Sequence, residues 1–383
     1  MFKKKTRISI FTDCIQVGGG PMGYTYNMIQ GSKSLGKIDF NIKFIGYDNS
    51  LYPKSSGIVE IIRKIQRRFY RYSIAIKRRI ELRKSDICVF QGWQEKKWAE
   101  AAKRNGKICV YMPHSPSIMA DEQKMNWELS NNSPYDMFVY KRNYETEENL
   151  FKISDYIVFP SKNASQAYYE KWKSIIDEKK VFYIKSGTIN RTTENSYPIR
   201  EQFCGKIIFA FIGRYVTHKG FDVFCNAAKK FKDDDKLVFV SAGTGPMEGL
   251  AEANNVHNLG FISDIGSLIK NIDVLVIPNR IAYYDLLPIE CAAYGKPMIF
   301  SHVGGNIDQL AEFPDSLTFT SENTNDLCEK IKLALIELEK NKSWGENNQT
   351  VYYEDFTEKE MMKRWIAFFK MIVSDKNRTR VNI

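Results

Sequence analysis

Two cations, one carboxylate and one histidine carry the most chemistry in this 383-residue sequence. Arg214 and Lys219 fall in IIFAFIGRYVTHKG (207–220), bracketed by Gly213 and Gly220 where an apolar run ends. A planar guanidinium fork and a compact ammonium at the mouth of a strand suit an anionic diphosphate. A solvated surface pair is the plainer alternative. Glu290 stands in PNRIAYYDLLPIECAAYGKPMIFSHVGG (278–305), at an expected helix start. The helix macrodipole alone would favour a carboxylate there. His114 lies between Pro113 and Pro116 in KICVYMPHSPS (107–117), just after an apolar run. A histidine so fixed binds a substrate hydroxyl or moves a proton, or else merely caps a loop. His218, His257 and His302 lack the spacing of a metal site and read as structural or exposed.

Positioning these groups requires strands that end where they stand. The run 273–277, stopped by Pro278, reads as a strand; the helix containing Glu290 then stops at Gly295 and Pro297, and another strand follows. In such α/β units ligands bind beyond the carboxyl ends of the strands. VFVSAGTGPME (238–248) is a strand with a Gly-rich turn, and NLGFISD (258–264) a short strand ending near Ile262. RISIFTD (7–13) is a plausible first strand. GGGPMGYTYNMI (18–29) follows, with Pro21 near the first helical position. Backbone N–H groups at Gly19 and Gly20 would form an anion site there, or only a tight turn. PSKNASQAYYEKW (160–172) is a strand end and a helix, and Thr192–Cys204, polar with Pro198, reads as a linker. A Thr-x-x-Glu capping box at Thr357 and Glu360 opens a final amphipathic helix over 356–373.

Taken in this order, the segments resemble family 4 retaining glycosyltransferases. The resemblance runs over nearly the whole chain and is more specific in the second half. It implies an α/β protein of the GT-B type, with two facing Rossmann-like domains and a central cleft. Residues 1–190 would be the acceptor-side domain and 205–350 the nucleotide-sugar-binding domain, with helix 356–373 crossing back onto the first. The implied reaction is retaining transfer of a sugar from a nucleotide sugar to a glycan or lipid-linked acceptor in surface polysaccharide biosynthesis, with no cofactor and no metal.

By the same resemblance Arg214 and Lys219 clamp the diphosphate and stabilise the leaving group, Glu290 binds the ribose, and His114 with Asp285 orients the sugar. Gly19, Gly20, Gly213, Leu286 and Leu287 line the donor, and the backbone near Ile262 meets the base. Gly304 and Gly305 close the series, and Asp308 takes a position where an acidic residue is common. Tyr283, Tyr284 and Asp285 would shape sugar choice. The family carries a second Glu eight positions before the one matched by Glu290. Here that position is Ala282, and Asp285 is the nearest carboxylate. The departure keeps open a non-catalytic GT-B-like subunit that binds acceptor or a partner enzyme, and a sugar-nucleotide epimerase of the same fold.

Composition agrees with two domains: 43% of residues are hydrophobic, enough for two cores. The seven cysteines are dispersed, without C-x-x-C, and read as reduced thiols of a cytoplasmic protein. The apolar run after the basic start ends at Asp13, too early for a signal peptide, and no run of about eighteen apolar residues spans a membrane. Residues 63–84 hold ten Lys or Arg against Glu81, a local +9 of the chain's +11. Ile58, Ile61, Ile62, Ile65, Phe69, Tyr72, Ile76 and Ile80 recur through 58–84 at helical steps. Such a segment would lie on an anionic membrane surface, placing the protein peripherally on the inner face of the plasma membrane. Alternatively its apolar stripe packs on the core and only its basic face is solvated. No nucleic-acid-binding motif accompanies it.

Overall fold

A computed structural model describes residues 5–48, 51, 56–131, 133–191 and 197–381. Residues 1–4, residues 192–196 of the expected linker and the side chain of Ile58 lie outside the described residues. Among the described residues twelve strands form two six-stranded, all-parallel sheets. The first, in the order β2-β1-β3-β4-β5-β6, comprises β1 (Arg7–Cys14), β2 (Asn41–Tyr47), β3 (Ile87–Gln91), β4 (Ile108–Met112), β5 (Tyr156–Phe159) and β6 (Val181–Tyr183). The second, β12-β11-β10-β7-β8-β9, comprises β7 (Ile207–Ile212), β8 (Leu237–Ala242), β9 (Val256–Asn258), β10 (Val274–Ile277), β11 (Met298–Ser301) and β12 (Ser316–Phe319).

Strands β3, β8, β10 and β11 are buried along their whole length. Continuous apolar runs of this kind suit parallel sheets covered by helices on both faces. In the second sheet the order reverses between β7 and β10, and in the first between β1 and β3. The crevices at these two reversals are where doubly wound sheets bind ligands. The loops carrying Arg214 and Lys219, Asp285, and Gly19 and Gly20 all leave strands that flank a reversal.

The final helix, Glu358–Val381, returns to the first domain. Trp365 is fully buried and donates from Nε1 to Tyr24 Oη at 2.8 Å, while Phe369 packs edge-on against Phe40. Only half of the expected capping box forms. Thr357 Oγ1 accepts from the Glu360 N–H at 3.3 Å, but the Glu360 carboxylate turns to Lys363 at 2.6 Å. The helix starts two residues later than expected because Tyr352–Phe356 closes a wider π turn.

Other expectations need correction. The strand expected to end near Ile262 stops at Asn258, and Ile262 lies in the following loop with its side chain buried. The described part of the linker folds as a short helix, Ile199–Gln202, whose Ile199 is buried in the core. The amphipathic segment forms the helix Gly57–Lys84, but its apolar stripe is not packed on the core. Phe69 is 72% and Tyr72 69% exposed, with Ile61, Ile62, Ile65, Ile76 and Ile80 also open to solvent. The helix is seated instead through Ile74, Leu82 and Arg78, whose guanidinium is buried on Glu95. Among the described residues no helix is long and apolar enough to cross a membrane.

Candidate functional site

The loop after β7 is built to hold its cations still. Tyr215 stacks on Phe221 with centroids 4.1 Å apart, and a 3-10 turn covers Thr217–Lys219. Gly220 closes the turn at φ +68, where a Cβ would stand 1.8 Å from the Pro278 carbonyl oxygen. Arg280 locks the turn from the other side: its backbone N–H donates to His218 O, and its guanidinium donates to Thr217 O and to both oxygens of Asp222.

Lys219 Nζ then meets Asp285 Oδ2 at 2.6 Å, bridging the loops after β7 and β10 at the reversal of the second sheet. Asn279 Nδ2 donates to the same oxygen at 2.9 Å. Burial pushes the Asp285 carboxyl up, but the Lys219 ammonium and the Asn279 amide outweigh it and hold the group below the usual range, hence ionised. Asp285 is the N-cap residue of the helix Leu286–Ala293, yet its side chain makes no capping bond. The first N–H groups of that helix are thus not capped by Asp285. Leu286 is buried and Leu287 partly buried against the core, so both side chains anchor the start of the helix. Gly213, at φ +154, donates its N–H to Ala242 O at 2.9 Å and draws the loops after β7 and β8 together.

Sequence reasoning set His218 aside, and the structure places it inside this cluster. It is buried, with Nε2 3.3 Å from Arg214 Nη2. Burial, then Lys219 and Arg214, lower its pKa to about 4, so the ring is neutral at physiological pH. Because arginine only donates, Nε2 accepts and the proton sits on Nδ1, a buried atom with no hydrogen-bond partner. The signal was its place between Arg214 and Lys219, outweighed by the search for metal spacing. Among the described residues no group of three or more His, Cys, Asp or Glu is arranged to hold a metal ion.

Glu290 is the fifth residue of the helix Leu286–Ala293 and not at its start, so the macrodipole does not account for it. Burial raises its pKa, and Arg191, with Nη2 3.3 Å from Oε1, opposes the rise. The position of Ala282 is occupied by a buried methyl, its carbonyl accepting from the Gly305 N–H at 3.0 Å.

His114 follows β4 and is half-buried, with Nε2 shut away from solvent and without a partner. Burial lowers its pKa to about 3, so the imidazole is neutral. Its ring meets the edges of Tyr24 and Tyr283, with centroids at 5.1 and 6.4 Å. The loop is fixed by Glu147, which accepts from Met119 N–H at 2.6 Å and Tyr111 Oη at 2.9 Å. His114 and Asp285 are therefore held by separate partners, joined through Tyr283, whose hydroxyl donates to Pro113 O across the two domains. Gly19 and Gly20 start the helix Gly20–Leu35 that carries Tyr24, with open space where a Cβ would point. Asp308 faces the first domain too, accepting from Asn163 N and Nδ2 at 2.9 and 2.8 Å. Gly304 and Gly305 begin the helix Gly304–Glu312 on which it stands.

Residues 194–351 match the family model "Glycosyl transferases group 1". The chain is 30% identical over 201 residues to the N,N'-diacetylbacillosaminyl-diphospho-undecaprenol alpha-1,3-N-acetylgalactosaminyltransferase of Campylobacter jejuni, covering 48% of this chain and 52% of that protein. It thus spans about half the length of that relative. An uncharacterized 41.2 kDa protein in the cps region of Klebsiella pneumoniae is 23% identical over 70% of this chain and 72% of its own length. Among solved structures, Anabaena HepE in complex with UDP and glucose superposes with a TM-score of 0.68 at 14% identity, covering 96% of this chain and 100% of that one. The chain as a whole thus has the GT-B fold, and its residues 194–351 are similar to group 1 glycosyl transferases.

Proposed function

We propose that the protein is a family 4 retaining glycosyltransferase that moves a sugar from a nucleotide sugar to a lipid-linked glycan in surface polysaccharide biosynthesis. The observation that carries this reading is the cluster Arg214, His218, Lys219 and Asp285 at the reversal of the second sheet, beside a helix start that Asp285 leaves uncapped. Two fixed cations and a set of backbone N–H groups stabilise a departing diphosphate in place of a divalent ion, so transfer runs without metal. The leaving phosphate takes the acceptor proton on the face it departs from, which keeps the anomeric configuration. Glu290 binds the ribose, and His114, neutral and with Nε2 unpartnered, meets a sugar hydroxyl from the first domain.

The lipid-linked acceptor is supported by the named activity of the Campylobacter relative and by the helix Gly57–Lys84. Its exposed isoleucines, Phe69 and Tyr72, flanked by cations, suit the interface of an anionic membrane, and each cation near the surface adds about 1 kcal/mol. The protein then works at the inner face of the plasma membrane. Ala282 in place of the usual carboxylate favours a second reading, a non-catalytic subunit that binds acceptor or a partner enzyme.

A panel of nucleotide sugars screened by thermal shift identifies the donor. Incubation of that donor with a polyprenyl-diphosphate-linked sugar in anionic vesicles, followed by NMR of the product, then separates the readings. A new α-linkage from an α-linked donor supports the proposal. Inversion would overturn retention, and donor binding without transfer would favour the subunit.

A further inference from the structure

The segment leaving the first domain, residues 187–191, is pinned along its length. Thr188 forms a parallel bridge with Thr357, and its carbonyl accepts from Tyr352 Oη at 2.8 Å. Ile189 N–H donates to Asn27 Oδ1 at 3.3 Å, and Asn190 Nδ2 donates to Tyr353 Oη at 3.0 Å. The Arg191 carbonyl accepts from Tyr294 Oη, and Tyr294 is the C-cap residue of the helix that carries Glu290. One helix therefore positions both Glu290 and the backbone of Arg191.

The Arg191 side chain does not complete this arrangement. Its Nη2 lies 3.3 Å from Glu290 Oε1, close enough for attraction but misaligned for a hydrogen bond. Nε and Nη2 are both shut away from solvent without a hydrogen-bond partner. A buried charged donor left in this state is costly, and natural structures seldom keep one without a use. A pair of hydroxyl groups satisfies both side chains at once, because a hydroxyl donates its proton to a carboxylate while its lone pairs accept from a guanidinium.

We propose that Arg191 is the second half of a diol site, donating to the 2′- and 3′-hydroxyls of a nucleotide ribose whose protons are accepted by Glu290. The inference rests on the transferase reading, which places the ribose at Glu290, and adds to it a linker arginine. Ribose binding then draws on the segment between the domains as well as on the second domain.

Calorimetric titration of the full chain tests this, with UDP, GDP, ADP and CDP compared with their 2′-deoxy counterparts. The wild type should bind its preferred ribonucleotide about tenfold tighter than the deoxy form, the loss expected for one missing hydrogen bond at a buried polar site. Arg191→Gln should weaken the ribonucleotide and bring the ratio close to unity, with Arg191→Lys recovering part of it. If Arg191→Gln does not fold, the Lys variant reads the same ratio. An unchanged ratio in the folded variants overturns the proposal, and so does a wild type that binds both forms equally. A wild type that binds no nucleoside diphosphate overturns the transferase reading with it.

Discussion

The Lys219 ammonium lies 2.6 Å from the Asp285 carboxylate, and this contact joins the loops that leave two neighbouring parallel strands, β7 and β10. The Lys219 ammonium is thus fixed in place by a carboxylate of the protein. A diphosphate arriving there must share Lys219 with Asp285.

Separating the two partners should therefore split binding from turnover. Lys219→Ala should weaken a nucleoside diphosphate about tenfold or more, as expected for loss of a charge-assisted contact. Asp285→Asn, which removes a competing anion, should bind the diphosphate as tightly as wild type or tighter yet lose sugar transfer. Calorimetry and donor turnover on the two variants measure both effects, and equal loss of affinity in both would contradict the shared-cation geometry.

A pH dependence follows from His114. Burial lowers its pKa to about 3, so the folded protein keeps the ring neutral while the unfolded chain takes up a proton below about pH 6.5. Its contribution to stability is complete above pH 6.5 and is lost as pH falls toward 3, by up to about 1.4 kcal/mol per pH unit. Glu95 and Glu147, both raised to about 7 by burial, act in the opposite sense: stability falls as pH rises through their window. The difference between wild type and His114→Asn cancels the carboxylates. Denaturant melts at pH 7, 6 and 5 should show the variant losing less stability on acidification than wild type.

Gly305 sits where the backbone of the helix Gly304–Glu312 touches the segment that leads into Asp285. A Cβ at this position would lie 1.5 Å from the Tyr283 carbonyl oxygen. Gly305→Ala must push that segment away, so it should cost about 1–3 kcal/mol or more and shift Asp285 off Lys219. Lowered thermal stability together with lost nucleotide affinity is the expected pair, read by calorimetry of each kind.

The strands that enter the site, the Gly-bracketed cation loop and the last helix were legible because each depends on local pattern: apolar runs, glycine punctuation and a cap at Thr357. What stayed hidden depends on pairing at long range. His218 looked idle, and only its burial beside Arg214 places it in the cluster, while Glu290 moved inward because Pro288 is tolerated in the first turn of a helix that begins at Leu286. Asn279 and Arg191 carry no motif at all. The stripe on Gly57–Lys84 shows the same limit, since helical spacing marks an apolar face but not what covers it.

That stripe should decide membrane attachment. Ile65→Asp with Phe69→Asp places charge on exposed positions and removes little packing, so the fold and nucleotide affinity should persist. Cosedimentation with vesicles containing phosphatidylglycerol should fall by about tenfold or more, given roughly 0.8 kcal/mol for each CH₂ withdrawn from the bilayer. Undiminished binding would contradict a role for the helix.

Release of nucleoside diphosphate from the donor that stabilises the protein, compared between wild type, Arg214→Ala and Glu290→Ala, tests the central claim most directly. Turnover in the wild type that drops about a hundredfold or more in Arg214→Ala, with weakened donor binding in Glu290→Ala, is the predicted result for a cation clamp on a departing diphosphate. Turnover that survives Arg214→Ala undiminished would contradict it.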